Sequence, residues 1–125
     1  FTLFIAGVAF VEEGLKLLPV RAQAQRGTGR GWVMGFLSGT GSFLGEKIAL
    51  LVAIVGFGLL PLGRESLALW GVGGGLALAG AFVLHASAAA LSGLGVGRSK
   101  RRATLAYLGA VALHVAYNVA VVWLA

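Results

Sequence analysis

The sequence predicts an all-α fold, a polytopic membrane helix bundle with about four transmembrane helices in 125 residues. Hydrophobic residues make up 58% of the chain and charged residues 11%, which is too apolar for a soluble domain with a solvated surface. The mean hydropathy of +0.93 is concentrated in four stretches, each long enough, at roughly 20 residues or more, to cross a hydrocarbon core. Strand-type alternation is weak, so we expect the spans to be helices, which satisfy their own backbone hydrogen bonds in lipid.

We expect residues 1–125 to form a single transmembrane domain. Its spans are the stretches in which apolar residues follow one another without interruption. Pro19 and Pro61 punctuate two of the ends, and the middle two stretches would measure about 45 Å as straight helices. These two must therefore tilt, protrude or break, and the glycines from Gly71 to Gly75 are the expected break. The spans are predicted near residues 1–20, 31–60, 67–97 and 104–125.

The charges between the predicted spans set the expected orientation. The loop at residues 21–30 carries +3 and the loop at residues 98–103 carries +4, whereas the second loop is neutral. The positive-inside rule places the two basic loops in the cytoplasm and both ends of the segment outside. Because these loops are short, lack interleaved aromatic residues and flank spans, we expect contact with the lipid bilayer and no nucleic acid. Phe1 in place of methionine leads us to expect further residues upstream.

The residue types that the chain lacks exclude several chemistries. Without cysteine there is no disulfide, thiolate metal site or cysteine nucleophile. Aspartate is absent as well, which excludes an intramembrane protease built on paired aspartates. Any carboxylate chemistry must therefore use the four glutamates, which are Glu12, Glu13, Glu46 and Glu65.

Seven ionisable side chains fall inside the predicted spans. A charge at the bilayer centre costs roughly 2.5 to 3.5 kcal/mol even on the lenient insertion scale, so we expect these groups to face the bundle interior or water. Counted from the cytoplasmic ends, they converge on one slab of the membrane, about 12 to 23 Å deep. Lys47 points away from its neighbour and should find a partner on another helix. The seven are Glu12, Glu13, Lys16, Glu46, Lys47, His85 and His114.

Helical periodicity assigns these groups to faces that also carry small residues. On the second span Glu46 shares its face with Gly35 and Gly39, and such stripes let helices approach closely. On the fourth span His114 and Asn118 project together, so the amide can orient the imidazole or act as a donor itself. The corresponding face of the third span comprises Ala77, Ala81, His85, Ala88, Ser92 and Gly95.

Each polar group also has a purely structural explanation. Lys16 lies three and four positions after the tandem glutamates and can neutralise them as helix-end carboxylates. An intramembrane histidine is more often an interhelical hydrogen-bond donor than a catalyst. A functional site is favoured because two tandem acids, a third acid, two histidines and an asparagine coincide at one depth.

Four spaced motifs occur in order on the predicted spans. They are Glu12-Glu13-Gly14-Leu15-Lys16, Gly39-Thr40-Gly41 followed by Glu46, His85 followed by Gly93, and His114 followed by Asn118. The series resembles the motifs EExxK, GxGFxxxEN, a histidine with glycine eight residues later, and HxxxN of the PrsW-type intramembrane proteases. That family belongs to the superfamily of CAAX prenyl-protein peptidases and bacteriocin-processing enzymes. The chain departs from it at Ser42, where phenylalanine is preferred, and at Lys47, where asparagine is preferred.

The resemblance implies a hydrolase, an intramembrane endopeptidase that cleaves a membrane-embedded or membrane-anchored protein, typified by anti-sigma factors in regulatory proteolysis. It also implies a multi-pass protein of a cell membrane of the prokaryotic cytoplasmic type. Two other functions stay open. One is a catalytically inactive scaffold, since the superfamily extends to the scaffold subunit of γ-secretase, and the other is a proton-coupled transporter, since intramembrane glutamate and histidine also form relays. The sequence sets no oligomeric state.

Peptide hydrolysis needs an activated water, a base and a donor for the oxyanion, and the predicted site supplies them in two ways. In the first, Glu46, His85 and His114 hold zinc with an open fourth position, and one of the tandem glutamates is the base. In the second there is no metal, a glutamate and a histidine activate the water, and His114 and Asn118 stabilise the oxyanion. Zinc gives the third acid a role, but both mechanisms stay open.

Overall fold

The chain is all-α in the part that a computed structural model describes, which comprises residues 2–25, 30–56 and 74–124. The all-α part of the predicted fold class is thereby confirmed for these residues. Each helix corresponds to one of the four apolar stretches, and the connection predicted between the second and third stretches lies outside the described residues, as does part of the predicted glycine break. The helices are α1 (Thr2–Gln25), α2 (Gly31–Gly56), α3 (Gly75–Gly95) and α4 (Lys100–Leu124).

Helix α1 continues beyond the end predicted for the first span. It passes through Pro19 and reaches Gln25, so the loop predicted at residues 21–30 is wrong over residues 21–25. After Pro19 and Val20 the helix consists of arginine, alanine and glutamine, and their high helix propensity sustains it once the missing N–H of the proline has been accommodated.

Helix α4 begins at Lys100, earlier than the predicted span. Ser99 anchors its first turn, because the Ser99 carbonyl accepts from the Ala103 N–H at 3.0 Å and its hydroxyl accepts from the Arg102 N–H at 3.5 Å. Serine is a favoured residue directly before a helix, since it satisfies N–H groups that have no partner within the helix. The loop predicted at residues 98–103 is therefore wrong from residue 100 onward, and three of its four basic residues, Lys100, Arg101 and Arg102, form the first turn of a helix instead.

Helices α2 and α3 pack antiparallel with their backbones in direct contact. At each of three contacts, a Cβ added to the α2 glycine would overlap a backbone carbonyl of α3. Only glycine permits this separation, so the stripe predicted on the second span is a helix-packing surface. The contacts pair Gly31 with Gly93, Gly35 with Ala89 and Gly39 with His85.

The small residues of α3 serve two neighbours. The backbone of His85 contacts Gly39 of α2, whereas a Cβ on Gly95 would lie 2.7 Å from the Cα of Ala103 on α4. The face predicted from Ala77 to Gly95 is therefore divided between contacts with different helices. The reason is that α3 carries small residues around much of its circumference, so it packs closely on more than one side.

The bundle buries polar groups and exposes large apolar ones. Its buried apolar residues are mainly alanines, whereas Leu3 and Trp123 are 89% and 84% exposed. In water this distribution would leave apolar surface uncovered, while in hydrocarbon it places apolar side chains against lipid. The buried polar side chains are Glu13, Lys16, His85, Ser92 and His114.

Two helices within the described residues are long and apolar enough to cross a membrane. These segments are Ala77–Gly95 in α3 and Lys100–Val121 in α4. Length and composition alone also admit the buried core helix of a soluble protein.

Candidate functional site

Helix α1 directs an ion pair into the centre of the bundle. Glu13 and Lys16 lie three positions apart on one helical face, and Lys16 Nζ is 2.5 Å from Glu13 Oε1. Their side chains are 0% and 3% exposed. On α2, the Ser38 hydroxyl donates to the main-chain oxygen of Lys16 at 2.7 Å, which fixes α2 against this turn of α1. The pair is thus held in place by a neighbouring helix.

Glu13 also joins α1 to α4. Its Oε1 lies 3.0 Å from Nδ1 of His114. A carboxylate that is paired with an ammonium can only accept, so His114 donates from Nδ1 and its Nε2 is left for another partner. This Nε2 lies 3.6 Å from Oε2 of Glu12, which one water or a small side-chain shift would bridge. Glu13 therefore orients the imidazole toward Glu12.

Lys16 extends the same network to α3. Its Nζ lies 2.9 Å from Nδ1 of His85. Because an ammonium can only donate, Nδ1 of His85 must accept, and the proton of this neutral ring is on Nε2. Nε2 in turn lies 3.2 Å from Oε2 of Glu46 on α2. The network thus fixes which nitrogen of His85 carries the proton.

Glu46 and Lys47 pair with each other at the open end of the network. Lys47 Nζ lies 2.5 Å from Glu46 Oε1, and the side chains are 27% and 46% exposed for lysine and glutamate. The prediction that Lys47 finds its partner on another helix is therefore wrong. Adjacent positions do diverge on a helix, but these two side chains are long enough to bend back toward each other.

The two imidazoles bring the halves of the network together at the centre. The ring centroids of His85 and His114 are 5.2 Å apart, and the rings meet edge to face. All four described helices contribute to one continuous chain of ionisable groups. In order the chain runs through Glu12, His114, Glu13, Lys16, His85, Glu46 and Lys47.

A cavity of about 250 Å³ lies beside this chain. Glu12, Lys16, Glu46 and His85 line it together with Ser42. The Glu12 and Glu46 side chains are 39% and 46% exposed, so water reaches these carboxylates, whereas Glu13 is sealed from it. Since one water needs about 30 Å³ in the liquid, the space admits several waters or part of a substrate.

Asn118 lies one helical turn beyond His114, and it is half-buried. It forms no hydrogen bond with any residue that the structure describes. Glu13 orients the imidazole instead, at 3.0 Å from Nδ1. The predicted role of Asn118 as an oxyanion donor stays a prediction.

The motif glycines divide between packing and open positions. Gly39 and Gly93 lie in the α2–α3 contact, where a side chain would overlap backbone. Gly41, which belongs to the same motif as Gly39, has open space where a side chain would be. Gly39 therefore positions the site through packing, because the backbone it touches is that of His85.

The predicted zinc ligands lie in the network but not in a metal-binding arrangement. Within residues 2–25, 30–56 and 74–124, no group of three histidine, aspartate, glutamate or cysteine residues is arranged to hold a metal ion. Both ring nitrogens of His85 are engaged, and the cationic Nζ of Lys16 is 2.9 Å from one of them. The side chains as they stand do not fit zinc, and the site made by Glu46, His85 and His114 stays a prediction.

Lys16 has a larger role than the sequence indicated. Its position three residues after Glu13 predicted neutralisation of a carboxylate, and this pairing is present. The contact with His85, 69 positions away, is the additional feature. Helical spacing shows which residues share a face, but it does not show which helix that face meets.

Comparisons with known proteins add no family to this geometry. None of the family models, curated proteins or solved structures compared with this chain matches it.

Proposed function

We propose that this chain is an intramembrane peptidase that hydrolyses a membrane-associated protein substrate with water activated by Glu12. One observation carries the proposal. Carboxylates and imidazoles from α1, α2, α3 and α4 converge at hydrogen-bonding distances beside a cavity that admits water. Acids, bases and a buried cation in one partly open cavity form the constellation that general acid–base hydrolysis requires.

The distribution of side chains supports a membrane location with four spans. Polar groups are buried at the centre, and large apolar side chains are exposed on all four helices. In the predicted spans 1–20 and 31–60, the ionisable groups that the structure describes belong to the network, and pairing within it lowers the cost of placing them in lipid. Lipid is the solvent that makes this distribution favourable.

Glu12 is the residue best placed to act as the base. Its carboxylate lines the cavity and is partly exposed, whereas that of Glu13 is buried and already paired. Glu12 takes a proton from water, the resulting hydroxide attacks the substrate carbonyl carbon, and the same proton then passes to the leaving amine as the peptide bond breaks. Each atom is accounted for without a further reactant.

Three other residues of the network assist this step, namely Glu13, His114 and Lys16. Glu13 accepts from His114 Nδ1 and holds the ring with Nε2 toward Glu12, where it accepts a hydrogen bond or, once protonated, donates one. Lys16 lines the cavity, and its ammonium supplies positive charge near the developing oxyanion. Asn118 is the candidate for a second donor.

Cleavage of a membrane-tethered reporter tests the proposal. The purified chain is reconstituted in liposomes with a reporter that carries the transmembrane and flanking segments of an anti-sigma factor. We expect Glu12→Gln to lower the cleavage rate by about 100-fold or more, because an amide keeps the size and loses the basicity. Glu65→Gln, which changes a glutamate outside the described residues and outside the predicted spans, is the matched control and should cleave normally. Unchanged rates in both Glu12→Gln and Glu13→Gln would refute a peptidase of this kind.

Elemental analysis and a chelator titration of the same reaction distinguish the two mechanisms. With no metal, cleavage should persist at full rate in a strong chelator while bound zinc is far below one equivalent. If cleavage is lost and zinc restores it, the side chains of Glu46, His85 and His114 must rearrange into the predicted ligand set. His85→Ala should then lower metal occupancy, and Glu12→Gln should not.

The continuous network favours a second candidate, a proton-coupled transporter. Seven ionisable groups follow one another from Glu12 to Lys47, and intramembrane chains of this kind also conduct protons. Proton uptake into liposomes that is lost in Glu13→Gln, without cleavage of any reporter, would support transport. A folded chain that neither cleaves nor conducts would fit the inactive scaffold.

A further inference from the structure

Two adjoining cavities lie where α1 and α3 end and α4 begins. Their volumes are about 490 and 370 Å³, and Leu17, Arg21, Lys100 and Ala103 line both of them. Arg98 lines the smaller one. No carboxylate lines either cavity among the residues that the structure describes. The cavities therefore form one basic pocket at the end of the bundle away from Glu46.

The positive charges of this pocket have no counter-charge in the described residues. Arg21, Arg98 and Lys100 are exposed and take part in no ion pair there. The N-terminus of α4 adds to the positive potential, since no acidic residue occupies its first turn. Cations at the positive end of a helix dipole repel it, and a bound anion would relieve this repulsion.

Ser92 independently indicates a ligand. It lies in the wall of the smaller cavity and is 2% exposed. Its hydroxyl has no hydrogen-bond partner within the described part of the chain. Buried hydroxyls nearly always have a partner, so a missing acceptor or donor is expected beside this one. An oxygen of a ligand that enters between α1, α3 and α4 would supply it.

The remaining wall of the pocket is apolar and well ordered. Phe10, Leu17 and Tyr107 line the larger cavity. The phenol of Tyr107 donates to the carbonyl of Phe10 at 2.5 Å, and the two rings meet edge to face with centroids 5.1 Å apart. This wall continues into exposed apolar surface on α1, including Val11 and Leu18. A ligand that fits the whole pocket has a charged head and an apolar tail.

We propose that the pocket binds the phosphate headgroup of an anionic phospholipid. Arg21, Arg98 and Lys100 contact the phosphate oxygens, Ser92 donates to one of them, and the acyl chains lie along Leu17 and the apolar surface beyond it. Phosphate accepts several charge-assisted hydrogen bonds at once, which suits a cluster of unpaired cations. Arg21 lies about 12 Å from Glu13 along α1, and lipid occupancy of the pocket does not depend on peptidase activity.

Lipid binding to the purified full chain tests this directly, with native mass spectrometry in detergent as the readout. Phosphatidylglycerol should bind at least about tenfold more tightly than zwitterionic phosphatidylcholine, since only the former presents an unbalanced negative charge. Glycerol phosphate and inorganic phosphate form the other arm. If they bind as tightly as the lipid, the site serves a soluble phosphate and the proposal is wrong.

A matched pair of charge variants separates a site from general attraction. Arg21→Gln with Lys100→Gln removes two cations that line the pocket, and Arg101→Gln with Arg102→Gln removes two that do not. Only the first pair should weaken phosphatidylglycerol binding, by about tenfold or more. Equal weakening in both would show diffuse electrostatics and overturn the site.

Ser92→Ala provides a test that does not alter charge. Removing the hydroxyl should weaken phosphatidylglycerol binding about threefold and leave phosphatidylcholine binding unchanged. Because the side chain has no hydrogen-bond partner among the described residues, the variant should fold as the unmodified chain does. Glu12→Gln should bind the lipid normally, so a failed peptidase test leaves this result interpretable. Unaltered lipid binding in Ser92→Ala would contradict the role of its hydroxyl in the site.

Discussion

At the scale of single residues, the ionisable groups of this site define one another's states. Lys16 donates to both Glu13 and His85, so the carboxylate is held as an acceptor and the imidazole as a neutral ring. His114, held by the same carboxylate, presents its other nitrogen to Glu12. Each contact fixes the donor or acceptor role of the next group. The buried network thereby holds its members in a single reactive arrangement.

Removing one member of the buried ion pair should lower the free energy of unfolding more than removing both members. Glu13→Leu leaves the Lys16 ammonium buried without its counter-charge, and we expect a loss of about 3 to 5 kcal/mol in the free energy of unfolding. Glu13→Leu combined with Lys16→Met removes both charges and should recover most of this loss. Thermal unfolding in one detergent, read by circular dichroism, measures the series.

The second ion pair of the network provides the control for that series. Glu46 and Lys47 are partly exposed, so Glu46→Gln should cost less than about 1 kcal/mol. If Glu13→Leu proves no less stable than the double variant, the substitution does not leave Lys16 as an unpaired buried cation. The proposed roles of the network are then wrong.

Much of the site composition was predictable because charge is costly in an apolar environment. That cost implied that Glu12, Glu13, Glu46, His85 and His114 share one interior, and the structure brings them together. Apart from the pair of Glu13 with Lys16, the pairing within the interior was not predictable, because it depends on helix rotation and side-chain rotamers that a linear pattern does not contain. Lys47 is an example. The backbone directs Lys47 and Glu46 apart, but the rotamers of the two side chains bring their charged ends together.

At the scale of the helices, close packing of α2 against α3 positions the reactive groups. Gly39 touches the main chain of His85, so any change in this contact moves the imidazole. The glycine stripe was visible in the sequence because a four-residue spacing has a direct geometric meaning on a helix. Helix ends were less predictable, since α1 passes Pro19 and α4 begins at Lys100, directly after the capping residue Ser99, so local propensity and capping decide.

Two alanine variants of neighbouring glycines should behave oppositely. Gly39→Ala places a methyl group against the backbone of α3, which cannot yield as a side chain does, so we expect a loss of about 1 to 3 kcal/mol and slower reporter cleavage. Gly41→Ala enters open space and should retain activity while gaining up to about 1 kcal/mol from helix propensity. The unfolding midpoints and cleavage rates of the two variants are to be compared. Equal values for Gly39→Ala and Gly41→Ala would contradict the packing role of Gly39.

At the scale of the whole molecule, polar and apolar side chains are distributed in the opposite way to that of a water-soluble protein. Alanines and ionisable groups occupy the centre, and leucines, phenylalanines and tryptophans face outward. The basic residues collect where α1 and α3 end and α4 begins, which is the end that the positive-inside rule assigns to the cytoplasm. The exposed apolar surface, the basic end and the buried network are thus all consistent with the proposed membrane location and with one orientation there.

The absence of native cysteine makes this orientation directly measurable with single-cysteine variants. Ser99→Cys lies between α3 and α4 at the basic end, and Gly56→Cys lies at the far end of α2, and both positions are exposed. In intact cells a membrane-impermeant maleimide should label Gly56→Cys, and it should label Ser99→Cys only after permeabilisation. A chain recovered in the soluble fraction would refute the membrane location. Labelling of Ser99→Cys alone in intact cells would reverse the orientation, and the basic end would then face outward against the positive-inside rule.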